Sequence, residues 1–365
     1  MRLGVLTGGG DCPGLNAAIR AVVAGASQKG YEVLGIRKGW EGLLTRDAVP
    51  LTWEDVEGIA SIGGTLISTS RTNPARSPEA TSTALENAER LGLGALVAIG
   101  GDDTLGAASH LQDRGLRCIG IPKTIDNDVG ATDATIGFDT AVNVAMAAID
   151  RLHTTARSHE RAVLVEVMGR DAGWVALHAG VGAGAHMILI PEVEVNTESM
   201  AHYLVNRKRQ GYTYAIIVVA EGVKRDGHQG LPDDKTVDEF GHPLLGGVTR
   251  IIADEMERIS GIQTRYTILG YIQRGGTPTL FDRFLASRYG LAAVELASQG
   301  MFGHMVALRG RDIVSVPLAD AVSKPRLVPR ELYEGLSPLW LPDGTPLGPI
   351  PPGTPREWLP GPHPI

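Results

Sequence analysis

Residues Lys123-Thr124-Ile125-Asp126-Asn127-Asp128 pack a cation and two carboxylates into six positions. Phosphoryl transfer to an alcohol needs a base near the hydroxyl, a metal ion, and a cation on the moving phosphate. This run can supply the base and the cation. An Asp-Asn-Asp run is more usually a solvated turn, but the apolar lead-in at 118–121 argues against that here. A second cluster, Gly100-Gly101-Asp102-Asp103-Thr104, sets carboxylates beside two glycines. That suits Mg²⁺, which takes one or two carboxylates plus phosphate oxygens. Asp103 or Thr104 as a plain helix N-cap is the competing reading. A third run, Gly8-Gly9-Gly10-Asp11, lies between a strand and a helix and is expected to present bare backbone N–H groups to a phosphate. It is not a Walker sequence, since no Gly-Lys-Ser/Thr follows. Arg170, Arg265 and Arg274, with Arg161 and Arg71 as further candidates, offer planar forks that grip phosphate. None of the ten histidines forms an H-x-H or HExxH pair.

These clusters need elements that converge them. Apolar runs at 1–7, 95–99, 118–121, Ala162–Val167, 187–190, Ala215–Ala220 and 265–270 read as strands. Residues Leu15–Gln28 and 140–157 read as helices, with another helix beginning near Leu105. Strand, glycine loop, helix, strand is the opening of a parallel α/β sheet. Each apolar run ends in glycine or charge, and ligands of open α/β sheets bind at the carboxyl ends of strands. The pattern predicts one shared cleft fed by loops of two half-sheets.

At 365 residues, with 43% hydrophobic and 21% charged, the chain is long for one core, and two domains are expected. A net charge of −7 disfavours nucleic acid or an anionic membrane as partner. No apolar run reaches the roughly 18 residues of a membrane span, and no leader is expected before the first strand. Two cysteines, Cys12 and Cys118, in no metal or redox spacing, fit a cytoplasmic protein. From 338 to 365, ten of 28 residues are proline, which predicts a tail that is neither helix nor central strand, with Trp340 and Trp358 as anchors.

The runs GGGDCPGLNAAIR, GGDDT, PKTIDND, VEVMGRDAGW, VVAEG and GYIQRGG stand in the order found in phosphofructokinases, from about residue 1 to about residue 317. The resemblance implies two three-layer α/β sandwich domains with mainly parallel sheets and an active-site cleft between them. Residues 1–138 and about 275–320 would bind the donor, and 139–274 the sugar phosphate. On the donor side it implies Gly10, Arg71, Gly101, Asp103 and Thr104, with Asp102 on Mg²⁺. Asp126 would be the base toward the 1-hydroxyl of fructose 6-phosphate. Thr124, Ile125, Asp126, Asp128, Met168, Gly169, Arg170 and Glu221 would line the sugar. Arg265, Tyr271, Ile272, Gln273 and Arg274 would hold its phosphate end. Arg161 would come from a neighbouring subunit of a homodimer or homotetramer. Tyr271 departs from the histidine many members carry, and still offers a hydrogen bond.

The same family divides into ATP users and pyrophosphate users. Many ATP users have glycine where this chain has Asp103 and Lys123, so both positions resemble the pyrophosphate branch. A carboxylate at 103 would face the α-phosphate of ATP. Two like charges about 4 Å apart repel by roughly 4 kcal/mol at an effective dielectric near 20, an upper figure. Lys123 would replace some of the lost nucleotide help by charge on the moving phosphoryl group. The expected reaction is reversible, pyrophosphate-dependent phosphorylation of fructose 6-phosphate. The alternatives are an ATP-dependent 6-phosphofructokinase and a non-catalytic sugar-phosphate-binding subunit.

Overall fold

The computed structural model describes residues 1–225, 228, 229, 232–237, 243–245 and 247–341. The strands run in chain order as β1 (Arg2–Thr7), β2 (Glu32–Ile36), β3 (Ala48–Leu51), β4 (Ala95–Gly100), β5 (Cys118–Pro122), β6 (Ala162–Val167), β7 (Met187–Leu189), β8 (Ala215–Ala220), β9 (Lys224–Arg225), β10 (His228–Gln229), β11 (Pro232–Val237), β12 (Pro243–Leu245), β13 (Thr264–Ile268), β14 (His304–Arg309) and β15 (Asp312–Pro317). They belong to two compact units. Met1–Ala141 with Tyr271–Arg326 makes the body of the first, and residues 142–225, 247–270 and 327–341 that of the second.

In the first unit a seven-stranded sheet runs β15-β14-β5-β4-β1-β2-β3. Its five inner strands pair in parallel, and antiparallel β3 and β15 close the two edges. Every residue of β4 and β5 is buried, as expected of parallel strands covered on both faces. From β1 the chain first builds outward to β2 and then returns to β4. The strand order therefore reverses between β1 and β4, where open α/β sheets take their ligands. Within this unit the starts of two long helices cap one another. The Asp282 carboxylate, on the Leu280–Ser298 helix, accepts from the backbone N–H of Gly137 (2.9 Å) and Thr140 (2.8 Å) at the start of the Phe138–Ser158 helix. In return the Thr279 N–H donates to Thr140 Oγ1 at 3.0 Å. Three backbone donors at two helix starts are thereby satisfied.

The second unit holds the four-stranded parallel sheet β13-β6-β8-β7. Again β6 and β8 are buried along their whole length. Short ribbons β9–β10 and β11–β12 follow β8. The start of the proline-rich segment is anchored: Trp340 is buried, stacks at 5.4 Å on Tyr333, and its carbonyl accepts from Tyr203 Oη at 2.7 Å. The expected helix at 140–157 extends over Phe138–Ser158, and the strand expected at 265–270 is Thr264–Ile268. Residues 342–365, including Trp358, lie outside the described residues.

Candidate active site

In the first unit three strand ends converge. The Asp102–Gln112 helix begins at Asp102, three residues earlier than expected. Its N-cap is Gly101, with no side-chain cap, so Asp102 and Asp103 are the first two helical residues and neither Asp103 nor Thr104 is the cap. Carboxylates in a first turn are favoured by the helix dipole. Asp102 is exposed, Asp103 half-buried, and Thr104 buried. Thr104 explains Gly8, of the loop expected to face phosphate, and Gly100, of the loop expected to face Mg²⁺. A Cβ on Gly8 would lie 2.5 Å from Thr104 Oγ1, and one on Gly100 would overlap the Thr104 side chain. The loop's N–H groups are less bare than expected as well. Gly8 N donates to Ile99 O and Gly9 N to Ser70 O, both at 3.0 Å. The second of these bonds leaves Arg71 one residue away from the contact.

Lys123 lies at the end of β5 and is buried. Its Nζ donates to Gly8 O at 2.9 Å and to Gly10 O. Burial pushes its pKa below the ordinary lysine range; nearby Cys12 opposes that and Arg274 adds to it. Arg274 closes the loop from the other side. Its Nη1 donates to Asp11 O at 3.2 Å, and a Cβ on Gly10 would meet Nη1 at 2.6 Å. Gly10 is small because Arg274 lies on it. This pairing joins a residue expected on the donor to one expected on the sugar phosphate. Tyr271 and Ile272 of the Gly270–Arg274 3₁₀ turn point outward, 77% and 58% exposed, while Gln273 is buried.

The turn after Lys123 is tightly held. Asp126 N donates to Thr124 Oγ1 at 3.1 Å, and Thr135 Oγ1 donates to Thr124 O at 2.7 Å. Ile125 is fully buried. Asn127 takes a left-handed backbone (φ 54°), and its Oδ1 accepts the Thr135 N–H at 3.0 Å. Asn tolerates that conformation better than most residues. Burial pushes the Asp128 carboxyl up to about 8, with the charges of Asp126 and then Asp102 adding to it. The buried Asp128 carboxyl beside Asp126 and Asp102 makes a cluster short of positive charge, which fits a divalent cation. Among the described residues no three or more His, Cys, Asp or Glu groups are arranged to hold a metal by themselves.

In the second unit the loops after β6 and β8 are locked together. Glu221 N donates to Val167 O at 2.9 Å and Gly222 N to Gly169 O at 3.1 Å. A Cβ on Gly222 would overlap the carbonyl of Arg170. Met168, Gly169, Arg170 and Glu221 are thus one constellation. Glu192, which sequence reasoning missed, supports it by accepting the Gly173 N–H at 3.0 Å and the Val328 N–H at 2.8 Å. Arg161 and Arg265 are elsewhere. Arg161 precedes β6, and Arg265 pairs in register with Val163, so both lie at the amino end of the sheet. Five residues of strand, about 16 Å, separate Val163 from Met168. Arg265 Nη1 donates there to Thr264 O at 2.7 Å and faces Glu257 Oε2 at 3.3 Å.

Two α/β units, one presenting a carboxylate cluster beside a lysine-braced glycine loop, define a phosphotransferase of the kinase kind. The family model named Phosphofructokinase matches residues 2–297, and the chain belongs to that family. It is 52% identical over 337 residues to the pyrophosphate–fructose 6-phosphate 1-phosphotransferase of Streptomyces coelicolor, covering 92% of this chain and 98% of that one. It is 48% identical over 334 residues to the ATP-dependent 6-phosphofructokinase 3 of the same organism, covering 91% and 98%. Its fold matches the crystal structure of the pyrophosphate-dependent phosphofructokinase of Nitrosospira multiformis with a TM-score of 0.80 at 22% identity, over 97% of this chain and 95% of that one. Cys12 and Cys118 are free and buried. Among the described residues no helix is long and apolar enough to cross a membrane.

Proposed function

We propose that this enzyme phosphorylates fructose 6-phosphate at its 1-hydroxyl using pyrophosphate, giving fructose 1,6-bisphosphate and phosphate, and runs in both directions as a cytoplasmic glycolytic step. Asp126 accepts the hydroxyl proton as the sugar oxygen attacks the terminal phosphorus. The bridging P–O bond breaks, and phosphate leaves. Asp102 would hold Mg²⁺, which would supply positive charge to the donor phosphates. Gly10, Gly101, Thr104 and Arg71 shape the donor site. Lys123 braces the glycine loop and adds positive charge beneath it. Thr124, Ile125, Asp128, Met168, Gly169, Arg170 and Glu221 line the sugar, with Arg274, Gln273, Ile272 and Tyr271 toward its phosphate. Arg161 and Arg265 serve the site of a neighbouring copy. Their place at the opposite end of the sheet from Met168–Arg170 supports that reading, which makes the enzyme at least a homodimer.

One observation carries the donor assignment: Asp103 stands in the first turn of the helix directly after Asp102. A second carboxylate there opposes the α-phosphate of a nucleotide but leaves room for pyrophosphate. The ATP-dependent reading keeps its place because relatives of both names are nearly equally similar. Steady-state assays with Mg-pyrophosphate and Mg-ATP separate the two. Turnover at least a hundredfold faster with pyrophosphate is expected, and turnover with ATP alone rejects the assignment.

A further inference from the structure

The turn that carries Asp126 and Asp128 is gripped from a part of the chain that no motif marks. After β15 the chain passes through the short Leu318–Ala321 helix and returns along the turn. Gly130 N donates to Ala321 O at 3.0 Å, and a Cβ on Gly130 would lie 2.7 Å from Lys324 O. The approach is therefore backbone on backbone. Arg326 then makes two contacts with consecutive carbonyls. Its own N–H donates to Asp128 O at 2.7 Å, and its Nη1 donates to Asn127 O at 3.3 Å. These are the carbonyls of the two residues that directly follow Asp126.

We infer that Arg326 is a positioning residue for the Asp126–Asp128 turn. This rests on the reading of Asp126 as the base. The physical reason is the backbone at Asn127. A left-handed residue persists where its surroundings over-determine it. Thr135 fixes the Asn127 side chain, but the Asn127 and Asp128 carbonyls need donors of their own. Arg326 supplies both from one residue, by main chain and by guanidinium. Without the guanidinium the peptide after Asn127 loses one of its restraints, and the backbone one residue upstream that carries the Asp126 carboxylate is held less firmly. Misplacing a reacting group by about 1 Å can cost a hundredfold in rate. One of the two bonds survives when only the side chain is removed, so the expected loss is smaller.

The test compares wild type, Arg326→Ala and Arg326→Lys as full chains, by steady-state kinetics, thermal unfolding and amide hydrogen exchange. Arg326→Ala is expected to lower kcat about tenfold, with KM for fructose 6-phosphate changed less than twofold. Exchange should quicken at 124–130 while β4 and β5 stay protected. Arg326→Lys, which keeps a donor, should recover part of kcat. Wild-type kcat and exchange in Arg326→Ala would overturn the inference while leaving the base assignment intact. So would exchange that quickens across the whole first sheet, which marks a merely structural residue. Should wild type turn over neither donor, the base reading falls, and exchange at 124–130 alone decides whether Arg326 holds the turn.

Discussion

Gly8, Gly10 and Gly100 in the first unit and Gly222 in the second make room for different kinds of neighbour. In the first unit Gly8 and Gly100 make room for the Thr104 side chain, and Gly10 for the guanidinium of Arg274. In the second, Gly222 makes room for a backbone carbonyl, that of Arg170. A side chain can swing aside or be exchanged, whereas a backbone carbonyl held in a sheet-end loop cannot. On the function proposed above, a Cβ added at Gly10 is the easier change to accommodate and one at Gly222 the harder. The comparison is sharpened by variants on each side.

Asp126→Asn should have the largest effect. Removing a general base typically costs 10²–10⁴ in rate, and kcat should fall about thousandfold. Fructose 6-phosphate binding, followed by calorimetry, should change little, because the amide keeps the size of the carboxylate. A kcat within tenfold of wild type would move the base elsewhere and leave the turn with a purely structural duty.

Gly222→Ala comes next. The added Cβ overlaps Arg170 O, so the loops after β6 and β8 must separate. KM for fructose 6-phosphate should rise about a hundredfold, and the melting temperature should drop. Gly10→Ala is the matched variant on the donor side, where the clash is with the far end of Arg274. It should keep its melting temperature within a few degrees and lose about tenfold in kcat/KM. Equal destabilisation by the two would erase the contrast between side-chain and backbone fillers.

Much of this arrangement can be read from the residue order. Strands buried on both faces announce themselves as unbroken apolar runs, so β4, β6 and β8 match the expected spans to within a residue. The Lys123–Asp128 turn stands out in the sequence too, because its residue types are unusual for their spacing. What was hidden depends on tertiary distance. Helix propensity favours a start at Leu105, yet the helix starts at Asp102 because Gly101 caps it by backbone alone. No local signal says that Thr104 fills two glycine gaps or that Arg274 covers Gly10. The separation of Arg161 and Arg265 from Met168–Arg170 follows from register. A list of arginines at strand ends does not say which end. Glu192 and Arg326 each act through a pair of backbone contacts far along the chain, which no periodicity encodes.

The smallest expected effect tests whether the donor side is tunable in practice. Asp103→Gly removes one carboxylate from the first turn of the Asp102–Gln112 helix and leaves Asp102 in place. Like-charge repulsion with a nucleotide's α-phosphate would be relieved, by at most roughly 4 kcal/mol at close approach and less once water and counter-ions screen it. Glycine at an early helical position costs about 1 kcal/mol of helix stability, which offsets part of the gain. The variant should therefore acquire ATP turnover about tenfold above wild type while its pyrophosphate activity declines. The measurement is kcat/KM for both donors on the same preparation. If ATP use stays at the wild-type level while pyrophosphate use persists, charge at 103 is not the gate. The donor preference would then have to come from the shape of the glycine loop that Lys123 and Arg274 hold.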